Sequence, residues 1–277
     1  FWRAERLAGI GAVCTKAISL RPRSGNRGIR IWETPAGVLN SIGLQNVGAK
    51  GFAEKYSEQV KGCPVPVIAN VVMESAEETA ETLSILQDTA LIAAAELNIS
   101  CPNVDGDGMV WGMEPSGAAA AVRAARKAWK GELWVKMTPQ SPCPQEVARA
   151  IEGEGADAIV AANTWLGMAM DMQSGKPAFD RVVAGLSGPA VFPLALRLVW
   201  QVCGAVNIPV IGCGGVTAAS DAAAMILAGA SAVEVGTAFF RDLNAGAEIS
   251  RGLEEYVSRY SCSSLKDLKG LARREGA

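Results

Sequence analysis

The stretch ELNISCPN, residues 96–103, ends an apolar run with Cys101 and Pro102 set between Asn98 and Asn103. Proline cannot donate to a sheet ladder, so the cysteine stands where the chain leaves regular structure. Free cysteine is by habit a buried and inert residue. Cys101 departs from that habit because it precedes a glycine-rich run, 104–112, that can serve as a mobile lid. The chain contains no histidine, which excludes a Ser-His-Asp triad, an HExxH zinc helix and any imidazole acid-base pair. Proton chemistry therefore falls to Cys, Lys, Asp, Glu or Tyr, and a thiolate at Cys101 is a credible base for an acidic C–H. Cys14, Cys63, Cys143, Cys203 and Cys262 read as structural, and Cys213 as a neighbour of a phosphate site without chemistry of its own.

Two lysines lie inside apolar runs, Lys136 in LWVKM and Lys16 in VCTKAI. An unpaired ammonium there is costly, so each needs an anionic partner or a lowered pKa. A cofactor or substrate could supply the charge, and for either lysine alone a buried carboxylate is an equal alternative. A Schiff-base aldolase would also use such a lysine. Asn40, Asn98, Asn103 and Asn163 offer donors and acceptors without charge, which suits an imide or amide ring, although Asn40 and Asn103 taken singly read first as turn residues. The segments IGCGGV (211–216) and VGTAF (235–239) end consecutive apolar runs in glycine beside a helix start. A lone GxGG is more simply a tight turn, but the pair makes Gly214, Gly215, Gly236 and Thr237 a candidate phosphate cradle, with Gly185 and Gly188 of GLSGP as a third turn.

The elements that must hold these residues are seven Val- and Ile-rich runs, at 11–19, 65–72, 91–100, 132–138, 156–164, 208–216 and 232–240. Continuous apolar runs of this length fit parallel strands covered on both faces. Ala- and Glu-rich helical stretches at 75–86, 115–129, 143–155 and 217–230 alternate with them, with starts at Ser75 and Thr217 and ends at Gly155 and Gly229. Alternation over the whole of 1–277 without a linker predicts an α/β chain forming one (β/α)8 TIM barrel domain, an open doubly wound sheet being the alternative. Seven strands where eight are needed, and a chain starting at Phe1, lead us to expect that the N-terminal strand is lacking from this fragment. In a barrel the strand C-termini carry the site, which gathers Lys16, Asn70, Asn98 with Cys101, Lys136, and Asn163 with Thr164.

Hydrophobic residues make up 49% and charged residues 19% of the chain, and the net charge is -2. That balance supports a large core and argues against a nucleic-acid surface or a membrane-binding basic patch. Seven cysteines without CxxC spacing suggest neither disulfides nor zinc, and suit a reducing cytoplasm. Apolar stretches stop well short of the roughly 20 residues a membrane helix needs.

Together TKAISLRPRSGN (15–26), ETPAGVLNSIGLQNVG (33–48), ELNISCPNV (96–104), VKMTP (135–139), NTWLGMAMD (163–171), GLSGPA (185–190), IPVIGCGGV and VEVGTA resemble dihydroorotate dehydrogenase of the soluble class 1 kind, over nearly the whole chain. The resemblance implies a barrel binding FMN and an oxidation of dihydroorotate to orotate in pyrimidine synthesis. It implies that Cys101 removes the C5 proton while hydride passes from C6 to flavin N5. Lys136 matches the lysine beside the flavin N1–C2=O edge, and Lys16 the lysine between flavin and substrate carboxylate. Asn40, Asn98, Asn103, Asn163 and Thr164 match the substrate cluster, with the backbone of Ile42, Gly43 and Leu44 alongside. Asn70 and Asn98 join the flavin contacts, and Gly188, Gly214, Gly215, Gly236 and Thr237 match those to phosphate and ribityl. The 33–48 block is closest to the class 1B catalytic subunit, which implies a homodimer and an electron-transfer subunit carrying FAD and a 2Fe–2S cluster. The lid departs from the family pattern, so Asp107 and Trp111 are expected to alter closure or substrate access. A flavoenzyme acting on another dihydropyrimidine, or a barrel kept as a scaffold, are the remaining alternatives.

Overall fold

The computed structural model describes residues 7–89, 92–100 and 111–274. In chain order the first strands are β1 (Val13–Cys14), β2 (Ile31–Thr34), β3 (Gly37–Asn40), β4 (Val67–Val72), β5 (Ala94–Asn98), β6 (Glu132–Lys136) and β7 (Ala158–Ala161). They are followed by β8 (Trp165–Met168), β9 (Met170–Asp171), β10 (Lys176–Pro177), β11 (Val183–Ser187), β12 (Val210–Cys213) and β13 (Ala232–Glu234). The main helices are α1 (Gly48–Lys61), α2 (Ala76–Asp88), α3 (Pro115–Ala128), α4 (Pro144–Gly153), α5 (Phe192–Cys203), α6 (Ala219–Leu227) and α7 (Ala245–Arg259), with a short α8 (Leu265–Leu268).

The seven apolar runs form one parallel sheet in the order β1-β4-β5-β6-β7-β12-β13, with helices packed on its outer side. Strand follows strand in chain order, as a barrel requires and a doubly wound sheet does not. The edges β1 and β13 approach each other, Cys14 Sγ lying 3.5 Å from Glu234 Oε1, so the sheet is curled into a barrel.

Side-chain alternation sorts the strands into two faces. Ala69 and Val71 on β4, Leu97 on β5, Leu133 and Val135 on β6 and Ile159 on β7 are buried in the large cluster under the helices. Each such Leu, Ile or Val contributes roughly 1.5–3 kcal/mol by leaving water. α3 turns Ala118, Ala121, Val122 and Ala125 inward, and these small side chains let it pack closely against α2 and α4. Ser75 caps α2 by accepting from the Glu78 N–H, and Gly155 and Gly229 follow α4 and α6 with positive φ of 87° and 117°. At the start of α6 the Asp221 carboxylate, not the Thr217 side chain, accepts from the backbone N–H groups of 217 and 218. The opposite face of the sheet carries a small apolar layer of Ala158, Val160 and Ile211, against which Trp134 and Cys213 pack, with Asn70, Glu96, Asn98 and Lys136 at other inward positions.

A second sheet was not foreseen from the sequence. β2, β3, β11 and β8 form four antiparallel strands, contributed by the excursions after β1 and after β7. Gly185 is its pivot, pairing with Asn40 on one side and Leu166 on the other. A Cβ at Gly185 would run into the Thr164 side chain, which explains glycine there.

Candidate active site

Inward positions near the strand C-termini bring the polar residues together. A cavity of about 760 Å³ is lined by Lys16, Asn40, Ile42, Gly43, Leu44, Asn70, Asn98, Lys136, Asn163 and Thr164, with the antiparallel sheet forming one wall. A second cavity of about 310 Å³ shares Lys136, Asn163 and Thr164 with it and continues to Gly214, Gly215, Gly236 and Thr237. Gly188 does not line either; it lies behind Ser187, where a Cβ would meet the Gly37 backbone at 2.8 Å. Cys101 and Asn103 lie outside the described residues, as does Asp107. Trp111 is anchored in the scaffold: its Nε1 donates to the Glu74 carbonyl at 3.3 Å and its ring packs against the helix-side core.

The asparagines are held by a connected network. Asn98 Oδ1 accepts from Ser100 N at 3.2 Å, Ser100 Oγ at 2.6 Å and Asn163 Nδ2 at 3.3 Å. With that oxygen occupied, Asn98 can offer a bound ring only its Nδ2 donors. Asn163 Oδ1 in turn accepts from Thr164 N, and Asn40 Nδ2 donates to the Gly185 carbonyl, tying the barrel end to the antiparallel wall.

Lys136 does have anionic partners in the protein. Its Nζ lies 2.6 Å from Glu234 Oε2 and 3.4 Å from Glu96 Oε1, and Glu96 also accepts from Asn70 Nδ2. Burial alone would lower the lysine pKa, but Glu234 and Glu96 overcome it and hold the ammonium charged, well above the ordinary range. That is the opposite of what a Schiff-base lysine needs. Burial, then repulsion from Glu234, pushes Glu96 up to about 8. For Glu234 burial is outweighed by Lys136 and by hydrogen bonds from Glu96, Lys136 and Cys14, which hold it well below the carboxylate range. Glu96 is thus driven toward its protonated form and Glu234 toward its ionised form. Burial also pushes the Cys14 and Cys213 thiols up, so both stay protonated and unreactive. Cys14, Glu96 and Glu234 could in shape ligate a cation, but the Lys136 ammonium already supplies the positive charge there.

Glu96 and Glu234 are absent from the sequence-derived site, although each interrupts an apolar strand as Lys136 does. The cost of burying a charge would have pointed to them by the same reasoning. Thr138, Gln140 and Ser100 carried no such signal; they enter through the loops that follow β6 and β5.

Asn70 Oδ1 is buried without a hydrogen-bond partner among the described residues. Such an acceptor costs roughly 1–3 kcal/mol unless a bound molecule satisfies it. Asn70 lines the larger cavity beside Lys136, and the smaller cavity supplies glycine turns, Gly214 and Gly215 having φ of 128° and 74°. A donor-bearing ring joined to a phosphate arm fits this arrangement.

The family model described as "Dihydroorotate dehydrogenase" matches residues 3–257. A dihydroorotate dehydrogenase B (NAD(+)) catalytic subunit from Trichlorobacter lovleyi is 47% identical over 95% of this chain and 87% of its own length. The protein of the same name from Porphyromonas gingivalis is 44% identical over 94% of this chain and 85% of its own. Among solved structures, a dihydroorotate dehydrogenase from Eimeria tenella, crystallised with ferulenol, superposes with a TM-score of 0.82 at 19% identity, covering 96% of this chain and 80% of the other, which supports the fold. By its sequence, the chain belongs to the dihydroorotate dehydrogenase family.

Proposed function

We propose that this chain is a class 1B dihydroorotate dehydrogenase catalytic subunit that oxidises dihydroorotate to orotate with FMN. The observation that carries the reading is the pair of joined cavities at the strand C-termini, polar and ring-sized on one side of Lys136 and glycine-lined on the other. Gly214, Gly215, Gly236 and Thr237 would hold the phosphate arm, and Asn70 and Lys136 the ring. FMN, when bound, supplies the hydride acceptor for C6 of the substrate. Lys16, Asn40, Asn98, Asn163 and Asn103 would orient the substrate ring and carboxylate, with the Ile42–Leu44 backbone alongside. Cys101, three residues beyond β5 in the sequence, would take the C5 proton, a role resting on its place in the ELNISCPN segment. Gly188 would support the cradle from behind.

The chain would act as one barrel domain, paired as a homodimer in the cytoplasm. Electrons would leave through a second subunit with FAD and a 2Fe–2S cluster to NAD, in keeping with the relatives' names as NAD(+) catalytic subunits. Among the described residues no helix is long and apolar enough to cross a membrane. The deciding experiment is anaerobic addition of dihydroorotate to the purified protein with FMN. Bleaching of the yellow protein is expected; a colourless protein, or colour indifferent to dihydroorotate, would remove the assignment.

A further inference from the structure

We infer that Glu234 and Glu96 are positioning residues that set how much positive charge Lys136 presents to a cofactor ring in the cavity. The inference rests on the proposal that FMN binds beside Lys136. Its basis is geometric. Lys136 projects inward from β6 at the junction of both cavities, yet its ammonium is drawn to Glu234 on β13, at 2.6 Å. Glu96, from β5, completes the cluster with no exposed surface, its Oε1 on Asn70 and Lys136 and its Oε2 without a hydrogen-bond partner among the described residues.

The groups facing this centre are Cys14 from β1, Asn70 from β4, Lys136 from β6, Cys213 from β12 and Glu234 from β13. Both thiols stay neutral, so near neutral pH one ammonium, one carboxylate and one carboxylic acid sum to zero. A lysine whose charge is cancelled on one side stabilises negative charge on its other side less than a lone ammonium would. Reduction places negative charge on a flavin ring, so the neutral cluster keeps the reduction potential lower than Lys136 alone would set it. When Glu96 loses its proton to solvent, near pH 8, the cluster becomes negative and reduction becomes harder still. The cluster therefore makes the bound cofactor a better electron donor, most of all in alkaline solution.

The test is the midpoint potential of FMN on the intact protein from pH 6 to pH 10, for wild type, Glu96→Gln and the double variant Glu234→Gln/Glu96→Gln, with FMN dissociation constants measured alongside. The double variant, in which Glu96 cannot ionise in place of Glu234, should shift the reduction equilibrium at least tenfold toward the reduced form, about 30 mV for a two-electron couple. Wild type should show an added fall in potential above about pH 8, and Glu96→Gln should lack it. A purely structural role would change stability but leave the potential and its pH profile in place, and that result overturns the inference. If the double variant does not fold, Glu96→Gln and wild type still decide through the alkaline break. Infrared titration of the flavin-free protein reads the pair independently of the cofactor. A protonated-carboxyl band at pH 7 that vanishes above pH 8 and is missing in Glu96→Gln is expected, and its absence from wild type refutes the shared proton. Failure of wild type to bind FMN at all, with the infrared band present, would instead overturn the functional proposal.

Discussion

Replacing Lys136 with methionine tests the electrostatics of the barrel interior most directly. Methionine keeps most of the side-chain volume and removes the ammonium that Glu234 approaches at 2.6 Å. The side chains of Lys136 and Glu234 are only 14% and 17% exposed, so solvent replaces the lost partner only in part. Removing one member of a buried pair costs roughly 3–5 kcal/mol, a large part of the roughly 5–15 kcal/mol that holds a domain together. The pH dependence follows from the carboxylate left behind. In wild type the depressed pKa of Glu234 contributes stability that is present above the ordinary carboxylate value and lost as pH falls through the depressed one. Without Lys136, burial dominates and raises that pKa, so the contribution reverses and stability is lost as pH rises. Urea denaturation at pH 5 and pH 8, with FMN omitted so that ligand linkage does not enter, should show a deficit of about 3–5 kcal/mol at pH 8 and a smaller one at pH 5. The double variant Lys136→Met/Glu234→Gln should regain at least half of the loss at pH 8. Equal deficits at both pH values, or a double variant no more stable than the single, would refute the reasoning.

Three further outcomes are expected. Glu96→Gln should flatten the loss of wild-type stability between about pH 4.5 and about pH 8, because a carboxyl with a raised pKa contributes stability below its ordinary value that fades as pH climbs; denaturation across that range measures it. Gly215→Ala should destabilise the protein by at least about 1–2 kcal/mol, since its φ is 74° and a Cβ there would lie 2.6 Å from the Phe192 backbone nitrogen; FMN affinity should fall with it, as fluorescence titration would show. Cys101→Ala should retain bound FMN yet bleach with dihydroorotate far more slowly, and unchanged stopped-flow bleaching would take Cys101 out of the chemistry.

All seven barrel strands were legible because a strand covered on both faces must be apolar almost throughout, as VIANVV of β4 is. The same rule exposed Lys136 and brought Asn70, Asn98 and Asn163 to one cavity. It stopped short of Glu96 and Glu234, which needed a partner to be visible as a site, and that partner lies on a different strand. The antiparallel wall was hidden for another reason. Its strands are short, partly exposed and interrupted by glycine, and Asn40 meets Gly185 across 145 residues of chain, so no local period encodes the pairing. Helix starts were readable at Ser75, where a side chain caps locally, and at Thr217, where the cap comes instead from Asp221 four residues on.

The shared strand β11 makes the two excursions a single mechanical unit. A one-residue slip would place Ala184 or Leu186 opposite Asn40, forcing a side chain into Thr164 and turning every neighbour to the wrong face. Length changes inside 37–40 or 183–187 should therefore cripple the rim, whereas the exposed turn at 172–175 can grow freely. Variation contributed by this wall is thus confined to exchanging side chains on a fixed lattice, or to decorating that one distant tip.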